Sequence, residues 1–430
     1  MATCEWKGGA PSVAKVITCT IASTGVIETT DIFRGKIGNK TLSVTAGSTA
    51  AGTVATTFAA AWNALSATEY PEFAEVTAAA TSGGALTLTA DTAGVDFSVT
   101  LSTVESNGDP SDAQTFTQST TVANAGPNDW STAANWSGGA VPVNSDAVVF
   151  EDSTFPVYYG LDQSAVTLAS LTIKQNFSDS GVIGLPRNND SGYPEYRDTY
   201  LKIGSTLIDI GGGSGEGSGR ININTGSVQT TLNVLNSGTA IDSGVPAILW
   251  KGTHASNAVS IVKGDLGIAP FEGEAATVAT LKIGYIDSVD TDASVICGSG
   301  VTLGTVTKNG GELECDTSTA AVTAVTQYAG KTTIYGDTNG VTAATLYGGT
   351  MNYNTSGTLT TGIVGNSATL DFRQDMRPKT VTNCQRYAGS SIYDPAAVVA
   401  WTNGIDFLGC GLEDTTSEIG KHRTWTPSAI

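Results

Sequence analysis

From Val306 to Val381 the chain reads VTKNGGELECDTSTAAVTA, VTQYAGKTTIYGDTNGVTA, ATLYGGTMNYNTSGTLTTG and IVGNSATLDFRQDMRPKTV, four gapless blocks of 19 residues. The sixth position of successive blocks is Gly311, Gly330, Gly349 and Ala368, and the tenth is Cys315, Ile334, Tyr353 and Phe372. The ninth is Glu314, Thr333, Asn352 and Asp371. Inward apolar positions beside outward polar ones mark strands with one buried face. Each block has apolar residues enough for one turn only, so it cannot form a core alone, whereas stacked blocks share a continuous one. A unit of this length with three short strand segments fits one rung of a parallel β-helix.

Looser rungs precede the regular ones: LASLTIKQ, STLIDIG, GRININTG, TTLNVLN, AILWKG and ATLKIG. Residues 128–410 then form a solenoid of about 14 rungs, roughly 65–70 Å long at ~4.8 Å per rung. Glycines supply tight corners or positive φ, and stacked Thr, Asn and Ser side chains form ladders along the outside.

Both ends of such a rod are open sheet edges, which invite aggregation unless covered. The stretch NDWSTAANWSGGAVPVNSDAVVF, Asn128 to Phe150, suits an N-terminal cap. Trp130 and Trp136 are large enough to plug the first rung, Pro142 blocks strand addition, and Asn135 and Asp146 complete the pattern before the apolar alternation of DAVVF. The segment from Tyr393 onward, with Trp401 and Trp425, is expected to cover the other end, with 411–430 as C-terminal cap or tail.

Residues 1–105 read as a small α+β domain. VAKVITCTI is a strand, and DIFRGKIGNKTLSVTAG is a hairpin turning near Gly38-Asn39. A helix follows with Val54, Phe58, Ala61, Trp62 and Leu65 on one face, capped by Ser48 or Thr49. Trp62, on that apolar face, is expected in the core. ALTLTA, the turn DTAG and the alternation Val95, Phe97, Val99, Leu101 suggest a second hairpin. The polar, turn-rich residues 106–127 read as a linker. The fold expected is mainly β: a small α+β domain followed by a parallel β-helix.

Composition agrees with a folded, turn-rich β chain: 51 of 430 residues are glycine, 40% are hydrophobic and 14% charged. The formal charge of −19 repels nucleic acid and anionic membranes, so neither is an expected partner. No apolar run approaches the ~20 residues that span a bilayer. The start, MATCEWKGGAPSVAKV, lacks the basic and apolar regions of a secretory signal, so the chain is expected to fold in a cytoplasm. Six scattered cysteines without a CxxC read as buried thiols rather than a zinc site or a disulfide framework. Cys297 and Cys315 fall on adjacent rungs.

Few stretches suggest chemistry. GGGSGEGSGR, Gly211 to Arg220, lacks the GK[ST] ending and following helix of a phosphate loop. Asp287, Asp290 and Asp292 are spaced as in a calcium loop but without its glycine and distal glutamate. His254 and His422, the two histidines, have no acid or nucleophile signature nearby. The loop RNNDSGYPEYRDTY, Arg187 to Tyr200, interrupts the solenoid with charged groups and three tyrosines, a composition suited to an interface or a sugar. Its candidate residues are Asp190, Tyr193, Glu195, Tyr196 and Asp198. The carboxylates among them could include the pair a glycosidase needs. The sequence proposes no enzyme, cofactor or metal.

The pattern W-x4-N-W-x-x-G-x-x-x-P-x-x-x-D-x-V-x-F resembles the segment that opens β-solenoids in large bacterial surface proteins, and the blocks resemble repeats of autotransporter adhesin passengers. Residues 55–101, ATTFAAAWNALSATEYPEFAEVTAAATSGGALTLTADTAGVDFSVTL, are similar to small domains of tailed-phage and prophage virion proteins. Such proteins need no signal peptide, because particles assemble in the cytoplasm and leave by lysis. Together the resemblances imply a non-enzymatic structural protein on a virion surface, a capsid decoration or head fibre. They imply a homotrimer whose N-terminal domain binds other capsid or tail proteins. They leave open a bacterial cell-surface adhesin or array protein. Also open is a tail fibre or tailspike that binds or cleaves host polysaccharide through Asp190, Glu195 or Asp198.

Overall fold

The computed structural model describes residues 2–23, 26–110, 114–177, 181–189, 192–212, 220–237, 244–284, 292–409 and 418–419. The chain is mainly β, with a small N-terminal α+β region followed by a parallel β-solenoid of about 11 turns. Successive strands alternate between a 14-stranded and a 12-stranded sheet, so each turn contributes one strand to each.

Backbone pairing follows the sequence period. Thr305 lies beside Ala324, Glu312 beside Lys331, Val322 beside Val341 and Lys331 beside Thr350, each a step of 19 residues. The tenth-position residues Cys315, Ile334, Tyr353 and Phe372 stack inside, at most 1% exposed. The ninth-position residues Thr333, Asn352 and Asp371 face outward yet are buried, because each lies under its neighbour in an in-register column. Asn352 Nδ2 donates to Thr333 Oγ1 at 3.5 Å, and Arg373 clasps Asp371 with bonds of 2.7–3.1 Å.

The sixth-position glycines are required. Gly311, Gly330 and Gly349 have φ of 67°, 77° and 71°, and a Cβ there would lie 2.1–2.2 Å from a carbonyl oxygen of the preceding rung. Where the fourth block begins, the first strand shortens its step to 18 residues, Thr345 pairing with Ile363. The left-handed position there is Asn366, φ 47°, a residue type that tolerates it, so Ala368 can replace glycine.

Two sequence expectations about the rod change. The 14 rungs become about 11 turns, because the rungs before Val306 are longer. Leu171 to Ile208 is a step of 37 residues, Thr231 to Ala258 of 27 and Ala276 to Val301 of 25. Three segments per rung are realised as two sheets with one strand divided. Ala276–Val278 pair with Val301–Leu303 and Thr280–Ile283 with Thr305–Lys308, while Ala279 and Gly304 between them do not pair.

In the N-terminal domain the helix Ala51–Asn63 buries Val54, Phe58 and Trp62 against a four-stranded and a three-stranded antiparallel sheet. The Gly38-Asn39 turn forms, joining Ile37 to its partner Lys40. The helix start is Ala50, without a side-chain cap; the Ser48 hydroxyl instead accepts the Ala50 N–H at 3.1 Å. The second hairpin does not form. Ala85–Ala90 pairs with Val76–Ala80 and Val16–Ser23, whereas Thr100–Val104 joins the other sheet beside Ile32–Ile37.

The boundaries also move. The expected 106–127 linker contains Gln114–Val122, a strand paired along Val16–Ser23. Its threonines and Gln118 face solvent while Gln114 and Phe116 turn inward, which is why it reads as polar. Residues 1–105 are not one domain either, since Thr3–Trp6 belongs to the solenoid. At the other end Ser391–Asp394, Val399–Trp401 and Ile405–Leu408 continue the rod's parallel pairing rather than capping it. Trp425 and the rest of 420–430 lie outside the described residues.

One core position is unexpected. Lys308 is 0% exposed, and its ammonium donates to the Ala329 carbonyl at 3.1 Å. Burial pushes its pKa down to about 7, against a smaller opposing pull from Glu312. The unfolded chain keeps this lysine protonated to pH ~10.4. It therefore binds more protons than the folded chain between about 7 and 10, and Lys308's contribution to stability rises with pH across that window. Lys308→Met is expected to unfold at higher urea than the parent at pH ~6, with the difference shrinking toward pH ~10. A constant difference at both pH values would show that Lys308 is charged in the fold.

Candidate functional site

Two clusters hold the residues singled out in the sequence. The first closes the start of the rod. Thr3–Trp6 lies residue for residue beside Ala147–Phe150, which pairs on its other edge with Ser170–Ile173. The chain's own first strand thus occupies the sheet edge assigned above to Pro142, which is buried in the preceding turn. Trp6, Trp130, Trp136 and Phe150 are at most 3% exposed and fill the end of the core, with ring centroids 4.6–6.2 Å apart. Trp136 Nε1 donates to the Trp130 carbonyl at 2.7 Å and Trp6 Nε1 to the Phe155 carbonyl at 2.8 Å.

Asn135 and Asp146 fasten this strand. Asn135 Nδ2 donates to the Gly126 and Asp129 carbonyls at 2.7 and 2.9 Å, and its Oδ1 accepts the Ala10 N–H at 2.9 Å. Asp146 accepts the N–H groups of Val143 and Ala2 at 3.0 and 3.1 Å. The bond from Val143, foremost, holds its carboxyl below the usual range. The sequence signal for the missing strand is the alternation in TCEW, whose Cys4 and Trp6 turn inward.

The second cluster is the loop Arg187–Tyr200, which reaches from the rod to the N-terminal domain. Tyr193 and Tyr196 both donate their hydroxyls to Glu75, Tyr196 at 3.1 Å. Arg197 pairs with Glu75 at 3.2 Å and Glu195 at 2.8 Å and donates to the Asp96 carbonyl at 3.1 Å. Its guanidinium centre lies 4.7 Å from the Tyr196 ring centroid. Tyr196 packs on the domain's core, and its Cβ would lie 2.9 Å from any Cβ at Gly38. Burial foremost disfavours the Arg197 charge, but the bonds to Glu195 together with the attraction of Tyr196, Glu195 and Glu75 outweigh it and raise its pKa. Burial, then Glu75, raises the Tyr193 phenol. Asp190 lies outside the described residues.

Between this loop and the rod is a cavity of about 340 Å³ that Arg187, Asp198, Tyr200, Lys202, Lys251 and Glu274 help to line. Lys202 meets Asp198 at 2.7 Å and Lys251 meets Glu274 at 2.9 Å. The Tyr200 hydroxyl donates to Glu274 at 3.2 Å under the Lys251 ammonium. Burial foremost, then Glu274, raises this phenol's pKa. Glycoside hydrolysis needs one carboxyl able to donate a proton and another facing substrate or water. Glu195 is instead 1% exposed and gripped by Arg197, while Asp198 and Glu274 are matched to lysines. The arrangement suits adhesion between rod and domain.

The other candidates do not converge on these clusters. Residues 213–219 of the glycine-rich stretch, together with Asp287, Asp290 and His422, lie outside the described residues. Asp292 sits 3.7 Å from Lys263. His254 Nδ1 accepts the Ser256 N–H at 3.1 Å. Cys297 and Cys315 are in-register neighbours, both buried and free. Among the described residues, Glu28, Asp31 and Glu105 form one acidic group with ligand atoms within 4.8 Å. Asp31 accepts the Glu28 N–H and Glu105 accepts from Gln114.

The cluster residues supplied by the N-terminal domain, Glu75 and Asp96, carry no local signal in the sequence. Their role arises from contacts more than 100 residues away.

Arg197→Met is expected to cost ~3–5 kcal/mol, because it leaves buried Glu195 without its cation, and to divide one calorimetric transition into separate rod and domain transitions. Lys202→Met, which breaks a half-exposed pair, should change stability by less than ~1 kcal/mol. Trp6→Ala is expected to cost ~3–5 kcal/mol in urea unfolding by emptying the end of the core. Comparison of the chain with protein-family models, curated proteins and solved structures returned no match.

Proposed function

We propose that the chain is a non-enzymatic structural protein of a phage-like virion surface, a capsid decoration or head-fibre protein. Its solenoid forms the displayed rod, and its N-terminal domain binds other virion proteins. The observation that carries the structural part is the Arg197 junction. There the charged and aromatic groups best suited to chemistry are engaged in holding the domain against the rod. A rigid junction transmits the orientation of an anchored domain to the whole rod, which suits a displayed element.

What supports the virion setting is the likeness of residues 55–101 to small domains of tailed-phage particles. Homotrimeric assembly is part of the proposal, by analogy with β-helical virion appendages. The formal charge of −19 favours solubility and disfavours contact with nucleic acid or anionic membrane.

Antibody raised to residues 300–430 and used for immunogold electron microscopy on a lysate of producing cells tests the setting. Gold on particle heads or tails is expected. Gold on cell envelopes, with bare particles, would overturn the virion reading in favour of a surface adhesin. Sedimentation equilibrium of the purified chain should give three copies, and a monomer at all concentrations would remove the trimer from the proposal.

A further inference from the structure

The cavity between the Arg187–Tyr200 loop and the rod holds hydrogen-bond donors that the junction does not use. On the rod side Lys202 pairs with Asn224 and Asn224 with Lys251, so the three form one in-register column on successive rungs. All three line the cavity. The lysines are about 9–10 Å apart at the usual strand spacing, with the amide between them. Asn224 Oδ1 accepts the Gly226 N–H at 3.0 Å. That bond orients the amide, and its Nδ2 has no partner among the described residues. Asp162 precedes Lys202 in the column but does not line the cavity.

On the loop side is Arg187. The three carboxylates in the lining are each matched to a cation: Glu195 to Arg197 at 2.8 Å, Asp198 to Lys202 at 2.7 Å and Glu274 to Lys251 at 2.9 Å. Arg187 is the fourth lining cation and pairs with no carboxylate among the described residues. Its guanidinium centre lies 3.9 Å from the Phe271 ring centroid, and its carbonyl accepts the Glu195 N–H at 2.7 Å. A guanidinium laid on a ring face presents its N–H groups at the edge, the fork that takes both oxygens of one carboxylate. Acidic residues outnumber basic ones 40 to 21 in this chain, yet four of the 21 basic residues line this one cavity.

The lining selects the ligand's chemistry. Its carboxylates are occupied and the Tyr200 hydroxyl is engaged by Glu274, so the open positions are donors. They suit an anion rich in acceptors. A volume of about 340 Å³ is that of a small-molecule site rather than of an inorganic oxyanion. The aromatic faces nearby are covered. Tyr200 is 5% exposed, with the Lys251 ammonium 4.0 Å from its centroid, and Phe271 carries Arg187. A nucleobase therefore has no platform to stack on. A sugar acid fits, with one carboxylate for Arg187 and hydroxyls for the amide and ammonium groups opposite.

We infer that this cavity binds one hexuronate unit of an acidic glycan, its carboxylate on Arg187 and its hydroxyls along Lys202, Asn224 and Lys251. The site binds without cleaving, because Glu195, Asp198 and Glu274 are held by cations. It does not depend on the proposed virion role.

The test is isothermal titration calorimetry of the full chain with galacturonate, glucuronate and short oligomers of each. Galactose, glucose and inorganic phosphate are titrated beside them. At least one uronate should bind at millimolar concentration, and its neutral parent sugar should not. Arg187→Met should weaken binding about tenfold or more, the scale of a lost charge-assisted contact. Asn224→Asp keeps an acceptor for the Gly226 N–H but sets a carboxylate between the two lysines. It should abolish uronate binding without lowering the thermal midpoint of the free protein. Should that midpoint fall, Arg187→Met carries the test, since Arg187 is exposed. Absence of binding by every uronate would overturn the inference, as would binding indifferent to Arg187→Met. Equal binding of the neutral sugar, or displacement of the uronate by equimolar phosphate, would overturn it as well, the first because no carboxylate is needed and the second because no sugar ring is.

Discussion

The backbone ladder between rungs is the interaction on which everything else depends. The strands within the solenoid are paired on both edges only because a strand lies above and another below each of them. A rung is thus never stable by itself, and the first rung must be given a neighbour. Thr3–Trp6 provides one by crossing from the chain's start to the edge of Ala147–Phe150. The residues that follow then form the whole N-terminal domain before the chain returns at Asn128 to build the first turn. Closing the rod and folding the domain are consequently linked in sequence, and the Arg197 junction links them again in space.

That linkage explains what the amino-acid sequence makes legible and what it hides. The 19-residue period is visible because one constraint, a Cβ-free corner followed by an inward side chain, repeats at Gly311, Gly330 and Gly349. The helix is visible because Val54, Phe58 and Trp62 share one face. Both signals are local. By contrast, Gln114–Val122 looks like a linker because most of its side chains face water, and only its pairing with Val16–Ser23 makes it a strand. The alternation of Thr3–Trp6 spans only four residues, too few to mark a strand without its pairing to Ala147–Phe150.

The candidate loop divides the same way. Its composition marks Arg187–Tyr200 as unusual, and the tyrosines and charges do meet one another. Its partners Glu75 and Asp96 are invisible from the loop itself, and they decide that Glu195 is clamped rather than presented. The stacking of Tyr328 on Tyr347 was equally hidden, because residues spaced by the rung become neighbours only once the register is known.

The register itself raises a physical difficulty, because near-identical blocks can pair equally well one block out of step. The interior column Lys308, Gln327, Leu346, Val364, Arg386 resolves part of it. Lys308 donates to Ala329 O, Gln327 to the carbonyls of Gly330 and Gly348, and Arg386 to Ser390 O. These long polar side chains satisfy corner carbonyls that face the core, where an unmet one costs ~1–3 kcal/mol. The intervening Leu346 and Val364 carry no side-chain donor. A shift by one block would set Lys308, Gln327 or Arg386 against a different corner and strand buried polar groups without their acceptors. Uneven polar residues inside an even repeat therefore weigh against slippage, at the expense of burying a lysine that would be more stable in water.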